Sequence, residues 1–372
     1  MRIGFDAKRA YFNKTGLGNY SRSTINSLSR LFPDNKYTLY TPSVENNGLY
    51  LPPINTSVRK PVTIWSRNLN SYWRSYGIVS QLTADGIQLF HGLSNELPLG
   101  LGKTRIKTVV TIHDLIFLRL PGLYPAIDRY IYHKKVMNAV KSADRIIAIS
   151  EQTRNDLIEL MDADEKKVKI IYQGCNPWFY EKVSEKRQEE ISRKYNLPGD
   201  YLLYVGTIEE RKELLTIIRA IHEHTIRIPL VVIGRKTAYF DQVKKYMDAE
   251  KVQNIHFHQH VENSDLPAIY QQAGAFIYPS RYEGFGIPVL EALNSGIPVI
   301  TSRGGCLEET AGKGGLFTDP GNVEELADAI IRLTGDQKLR KKLITAGTKH
   351  AMQFREEKTV PQLIELYKAC LS

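Results

Sequence analysis

The sequence predicts an α/β protein made of two doubly wound domains facing a central cleft, and three observations carry that expectation. Short β-rich runs alternate with helical patterns through both halves, and most runs end in Gly, Ser, Asp or His, where a strand hands over to a loop. Strand, loop, helix, strand in repetition means parallel sheets covered by helices on both faces. A polar stretch, EKVSEKRQEEISRKYNLPGD (181–200), separates the runs into two series. The length of 372 residues exceeds what one hydrophobic core usually holds.

The first series is RIGFD (2–6), KYTLYT (36–41), IQLFHG (87–92), KTVVTIHD (107–114), RIIAIS (145–150) and VKIIYQG (168–174). The second is YLLYVG (201–206), IPLVVIG (228–234), NIHFHQHV (254–261), AFIYPS (275–280) and IPVITS (297–302). This places one domain over 1–180 and the other over 181–358. Ligands of open α/β sheets bind beyond the carboxyl ends of the strands, so a ligand is expected in the cleft. The N-terminus enters a strand-like run with no apolar signal segment, and no apolar stretch is long enough to span a bilayer. Cys175, Cys306 and Cys370 are widely spaced with no CxxC pairing, which suits a reducing cytoplasm and argues against a disulfide framework or a zinc site. A net charge of +10 points to polyanions, namely nucleic acid, a membrane surface or phosphorylated substrates, without choosing among them.

Several segments carry chemistry. TGLGNY (15–20) opens a helix with Leu17, Tyr20, Leu28 and Leu31 on its apolar side. Gly16 and Gly18 would let backbone amides meet a phosphate at the helix's positive end, although a tight βα turn asks for the same glycines. No third glycine completes a dinucleotide fingerprint. In VGTIEERKEL (205–214), Arg211 and Lys212 follow a strand end near a helix start, where they make either a diphosphate clamp or a solvated helix end paired with neighbouring glutamates. YEGFGIPVLEALNSGIPVI (282–300) sets Glu283 before a Gly-Phe-Gly turn and Glu291 about one turn into a helix from about Pro288. Carboxylates so placed beside an anion site suit sugar hydroxyls. His113 ends a strand beside Asp114, where a cleft role competes with that of a satisfied loop residue.

Other features favour structural readings. His256, His258 and His260 alternate along one strand face, but no carboxylate or cysteine nearby completes a metal set. Asp162-Ala163-Asp164 spells D-x-D inside a highly charged connection and reads as a solvated loop. In WSRNLNSYWRSYG (65–77), Trp65, Leu69, Tyr72, Trp73 and Tyr76 fall at helical spacing and read as core, with Arg67 and Arg74 facing out. Over 124–145, Tyr124, Ile127, Ile131 and Val140 are expected to pack inward, leaving Arg129, His133, Lys134 and Lys141 as a basic face. That face suits either anionic lipid or ordinary solvation.

Taken in order, these segments resemble the retaining GT-B glycosyltransferases of family 4, over nearly the whole chain. EGFGIPVLEAL resembles the family's E-x7-E signature, TGLGNY its N-terminal glycine loop, TIHD its His-containing loop and AISEQTRNDL its helix start. GTIEERK resembles its phosphate loop, and LEALNSGIPVITSRGGCLEE its nucleotide-side segment. The resemblance implies an N-terminal acceptor domain and a C-terminal nucleotide-sugar domain, both Rossmann-like, with a C-terminal helix (359–372) returning to the first. Arg211 and Lys212 would bind the donor diphosphate and stabilise the leaving nucleotide. Glu291 would bind the ribose, and Glu283 the transferred sugar, with the Phe285 and Gly286 amides nearby. Gly206 would border the donor, Gly16 would approach its phosphates and His113 would lie close to the reacting sugar. Many members carry arginine directly after the strand-end glycine, where this chain has Thr207, so the clamp rests more heavily on Arg211 and Lys212.

The expected activity is transfer of a sugar from a nucleotide-sugar donor to a hydroxyl with retention. The subgroup pattern leans to GDP-mannose and to surface polysaccharide or lipopolysaccharide biosynthesis. The acceptor would be a glycan or a polyprenyl-diphosphate-linked glycan, and the enzyme cytoplasmic or peripheral at the inner membrane face, with no cofactor or essential metal. Two rivals are a nucleotide-sugar epimerase on the same architecture and a nucleic-acid-binding protein. Against the second, no nucleic-acid motif appears and the basic residues are interspersed with acidic ones.

Overall fold

The computed structural model describes residues 1–44, 49–62 and 72–372. The chain divides into two compact units, Met1–Gln173 with Glu356–Ser372, and Gly174–Arg355. The first crossing thus falls a few residues before the 180/181 boundary read from the sequence, and the return falls just before 359.

The first unit holds a seven-stranded sheet in the order β3-β2-β1-β4-β5-β6-β7. Its strands are β1 (Arg2–Asp6), β2 (Lys36–Tyr40), β3 (Thr56–Arg59), β4 (Leu89–Gly92), β5 (Lys107–Ile112), β6 (Arg145–Ala148) and β7 (Val168–Ile170), and all neighbours are parallel. Alternate residues feed two cores, as a sheet covered on both faces requires. Val110, Ile146 and Ala148 pack with Trp73, Phe90, Val136 and Val140 on one side. Val109 and Ile147 pack with Ile3, Phe5, Ile25 and Leu28 on the other.

The terminal helix Glu356–Leu371 belongs to this second core through Val360, Leu363, Ile364 and Tyr367. Its first residue accepts hydrogen bonds from Ser27 and Arg30 of the helix Gly16–Leu31, placing a paired carboxylate at a helix N-terminus. Burial of four such side chains contributes on the order of 6–12 kcal/mol before entropy is subtracted.

The second unit repeats the plan with β8 (Leu202–Val205), β9 (Leu230–Ile233), β10 (Ile255–His258), β11 (Ala275–Tyr278), β12 (Val299–Ser302) and β13 (Gly315–Thr318). The order is β10-β9-β8-β11-β12-β13, again all parallel. In both sheets the order reverses beside the first strand, between β1 and β4 and between β8 and β11. The carboxyl ends at these switch points are where ligands of this architecture bind. The polar stretch 181–200 contains the helix Glu185–Tyr195, tied to the buried Asp265 through Arg187, Lys194 and Tyr195.

Three structural expectations are corrected. Trp73 is buried, but Tyr72 and Tyr76 are exposed and stack on each other at 5.4 Å. Tyr72 and Tyr76, four residues apart, share a side that faces away from the core, and a π-helical turn runs over Trp73–Gly77. Arg74 does not face out but bonds Asp6 at 2.5 Å; Trp65, Arg67 and Leu69 lie outside the described residues. On the helix Ala126–Ser142, Val140 is buried while Ile127 and Ile131 are exposed. Thirteen residues at 3.6 per turn put Val140 on the opposite side from Ile127. Finally, β10 ends at His258, so His260 leaves the strand and the three histidines share no strand face.

Candidate active site

In the second unit the elements after β8 and β11 meet at the switch point. Gly206 leaves β8 with φ 158°, and a Cβ there would come 3.2 Å from Lys212 Nζ and 3.4 Å from the Tyr278 ring. Glycine is needed because the chain turns under a lysine at that point. A single 3₁₀ turn, Glu210–Lys212, follows, and Glu213 in the left-handed region (φ 57°) starts the helix Leu214–Glu223. Ion pairing with Arg281 and a hydrogen bond from Thr216 hold Glu213 in that conformation.

The strand end after β11 is sewn to this turn. Arg281 N donates to the Arg211 carbonyl at 2.8 Å, and Ser280 Oγ lies 3.2 Å from the same oxygen. The Arg211 guanidinium reaches back to Glu283 at 2.6 Å, to Glu209 at 3.2 Å and to the Tyr282 carbonyl. Tyr278 Oη and Ser280 Oγ donate to the same Glu283 oxygen, at 2.9 and 3.0 Å. Burial alone would raise the Glu283 carboxyl, but the Arg211 and Lys212 charges and these hydrogen bonds outweigh it and hold the pKa below the ordinary value. Glu283 is therefore a carboxylate at neutral pH.

The sequence thus brings Arg211, Lys212 and Glu283 together, but in unequal states. Arg211 is committed to Glu283. Lys212 has no hydrogen-bond or ion-pair partner among the described residues, and its ammonium sits 5.7 Å from the Tyr278 ring centroid. Tyr278 and Ser280 were missed by sequence reasoning, whereas Glu209 is one of the neighbouring glutamates expected to pair with the Arg211-Lys212 segment and does pair with Arg211. The sequence signal for the first two was their place at the end of AFIYPS, next to the turn.

Phe285 is buried against Phe354, and its carbonyl accepts from Thr310 Oγ1 at 2.7 Å. Gly286 (φ 116°) starts the helix Ile287–Asn294, and a Cβ there would strike Leu307 at 2.8 Å. On that helix Glu291 is half-buried and accepts from Tyr270 Oη at 3.0 Å. Burial pushes its carboxyl up to about 8, opposed only by that hydrogen bond. The two glutamates therefore hold opposite protonation states near neutrality.

In the first unit, His113 follows β5. Its Nε2 lies 2.9 Å from the Leu93 carbonyl, so this nitrogen carries the proton and Nδ1 remains an acceptor. Burial brings the imidazole down to about 4, which keeps it neutral. Its backbone is pinned by Asn95 Oδ1 at 2.8 Å, and the Tyr20 ring meets it edge-on at 4.6 Å. Tyr20 Oη contacts Thr111, which contacts His91, which contacts Tyr367 of the terminal helix, at 3.0, 2.8 and 2.6 Å. The glycine pair divides sharply. A Cβ on Gly18 would strike the Asn13 carbonyl at 1.9 Å, whereas one on Gly16 meets nothing within 4 Å. The fold demands Gly18 but not Gly16.

Asp162 ends the helix Glu151–Met161 in the left-handed region, and Asp164 caps the next turn. Among the described residues no group of three His, Cys, Asp or Glu is placed to hold a metal ion, and no helix is long and apolar enough to cross a membrane.

Two all-parallel sheets of this order, the second with charged groups gathered at its switch point, have the architecture of GT-B glycosyltransferases. The profile described as "Glycosyl transferases group 1" matches residues 187–350, and that of "Glycosyltransferase Family 4" matches residues 15–179. The chain belongs to this glycosyltransferase family. It is 28% identical to the O-antigen chain mannosyltransferase B of Escherichia coli, over 99% of this chain and all of that one. Among solved structures it superposes on a sucrose-phosphate synthase from Thermosynechococcus elongatus with a TM-score of 0.78 at 19% identity, covering 99% of this chain and 98% of that one. It superposes on HepE from Anabaena in complex with UDP and glucose with a TM-score of 0.76 at 16% identity, covering 99% of each.

Proposed function

We propose that the enzyme is a retaining mannosyltransferase. It moves mannose from GDP-mannose to a hydroxyl of a glycan or polyprenyl-diphosphate-linked acceptor, in surface polysaccharide or lipopolysaccharide biosynthesis at the cytoplasmic membrane face. The observation that carries the choice of sugar is the full-length likeness to an O-antigen chain mannosyltransferase. The observation that supports nucleotide-sugar chemistry is the unpaired Lys212 ammonium beside the Arg211–Glu283 pair at a switch point.

In this reading Lys212 meets the donor diphosphate first, and Arg211, its position fixed by Glu283, adds charge as the nucleotide departs. Glu283 accepts from sugar hydroxyls, with the Phe285 and Gly286 amides beside it, and Glu291 faces the ribose. Gly206 and Gly16 leave room for phosphate oxygens. Neutral His113 accepts a hydrogen bond from a sugar hydroxyl at Nδ1, because its only N–H is committed to Leu93. The bond from the anomeric carbon to the phosphate oxygen breaks, and the acceptor oxygen attacks from the same face. Its proton passes to the departing phosphate oxygen. Arg211 and Lys212 supply the positive charge, and no metal is required.

Incubation with GDP-mannose and an oligosaccharide acceptor, with and without EDTA, tests the reading. Proton NMR of the first-formed product should show the donor's anomeric configuration at equal rates in both. An inverted product, or transfer only from another nucleotide sugar, refutes the corresponding part. Isomerised donor formed without acceptor would make the enzyme an epimerase.

A further inference from the structure

We infer that the outer face of the helix Ala126–Ser142, with the turn before it, is a docking surface for an anionic lipid bilayer. Among the described residues fourteen large apolar or aromatic side chains are exposed, and five of them fall between Leu123 and Tyr132. They are Leu123 (43%), Ile127 (70%), Tyr130 (63%), Ile131 (43%) and Tyr132 (44%). Ile127, Tyr130, Ile131 and Lys134 stand at i, i+3, i+4 and i+7, one ridge about 10 Å long. The opposite side is already in the core through Val136, Ala139 and Val140. A helix apolar on both sides is normally buried on both, and no described residue covers this ridge.

Charge selects the occupant. The helix carries Arg129, His133, Lys134, Lys135 and Lys141 against a single acid, Asp128. Of these Lys135 is engaged with Glu96 at 3.2 Å, while Lys134 lies over the Tyr130 ring at 5.5 Å. Isoleucines flanked by tyrosines and lysines suit the headgroup–acyl boundary: the apolar parts insert and the ammoniums reach lipid phosphates. A second copy fits less well, because a two-fold contact would bring two ridges of the same positive sign together. This deepens the proposed role at the membrane face and rests on it for the need of a bilayer. It also changes the mode expected from the sequence, from a basic face at rest on lipid to apolar side chains entering it.

The full-length enzyme is sedimented with phosphatidylcholine vesicles, with and without phosphatidylglycerol. Binding should require the anionic lipid and survive in part at high salt. Ile127→Ser with Ile131→Ser should weaken partitioning roughly 10²-fold. Lys134→Glu with Lys141→Glu should weaken it roughly fivefold per cation. In Ile127→Trp, emission should shift to the blue when vesicles are added. Absence of wild-type binding, equal binding by the serine variant or an unmoved tryptophan spectrum overturns the inference. A concentration-dependent dimer abolished by the serine variant overturns it in favour of a second copy. Mannose transfer to a soluble oligosaccharide should be unchanged in the serine variant. If no transfer occurs while vesicle binding persists, the proposed reaction fails and the docking surface stands.

Discussion

Glu291→Gln should stabilise the second unit in alkali and leave it nearly unchanged in acid. The carboxyl is half-buried on the helix Ile287–Asn294, receives one hydrogen bond, from Tyr270, and has its pKa pushed from 4.5 to about 8. A carboxyl raised in the folded state favours folding fully below pH 4.5, and that advantage drains away as pH rises through about 8. Every tenfold weakening of the carboxyl's acidity on folding is worth about 1.4 kcal/mol, so ionisation carries a penalty on the order of 4 kcal/mol by about pH 8.5. Glutamine keeps the shape and an oxygen for Tyr270 but has no proton to lose. For a unit the size of Gly174–Arg355 this difference corresponds to roughly 10 °C in melting temperature. Circular dichroism melts of both proteins from about pH 4 to about pH 8.5 should converge at the acid end and diverge progressively as pH rises above 4.5. Parallel curves would refute the reasoning, since they would mean the carboxylate is already solvated. If Glu291 binds ribose as an anion, nucleotide binding at neutral pH should also release protons, and calorimetry in buffers of different ionisation enthalpy should detect them.

Lys212→Ala should cut turnover roughly 10²–10³-fold with little change in melting, because the ammonium makes no hydrogen bond or ion pair among the described residues and only lies over the Tyr278 ring; wild-type turnover would remove it from the donor site. Glu283→Ala should lose activity and also melt lower, by about 3 kcal/mol, since it leaves the Arg211 guanidinium buried with Glu209 as its remaining anionic partner among the described residues. Glu283→Gln, which keeps acceptors for Tyr278 and Ser280, should recover much of that stability, and equal melting of the two variants would contradict the pairing. The first unit should lose stability as pH falls below 6.5, by up to about 1.4 kcal/mol per pH unit for each of His91 and His113, whose buried rings are held at about 3 and about 4. Urea titrations of the wild type and of His91→Asn should show a shallower acid slope in the variant. Leu363→Ala in the terminal helix should cost about 2–5 kcal/mol, measured as a lower urea midpoint for the first unit.

How far the fold was legible follows from burial. The central strands, buried on both faces, read as continuous apolar runs and sit where the runs predict. The two strands not read from the sequence, β3 (TSVR) and β13 (GLFT), are sheet edges that carry no long apolar run. Helices facing one core could be read from period, but the orientation of Ala126–Ser142 could not. It offers apolar residues on both sides, and only tertiary packing decides which are covered. Around Trp73 the aromatic stripe likewise has two sides, and only packing decides that Trp73 is covered while Tyr72 and Tyr76 are not.

At the site, residue types and order were legible, whereas the pairing was not. Arg211 and Lys212 look equivalent in sequence, and what separates them is Glu283, which takes one and leaves the other. The same partner explains why two carboxylates eight residues apart differ so much. Glu283 stands before the helix, where Arg211, Tyr278 and Ser280 converge on one oxygen. Glu291 has turned inward and finds only a phenol. A donor carries anionic phosphates and neutral sugar hydroxyls, and this division suits both. In the proposed reading the fixed carboxylate, which keeps Arg211 in place, would accept sugar hydroxyls, while the protonated one would add no negative charge near the phosphates until a ribose hydroxyl replaced its lost solvent. Proton release on nucleotide binding, abolished in Glu291→Gln and kept in Glu283→Gln, would separate those two roles. Release that persists in both variants would place the titrating group elsewhere and refute the division.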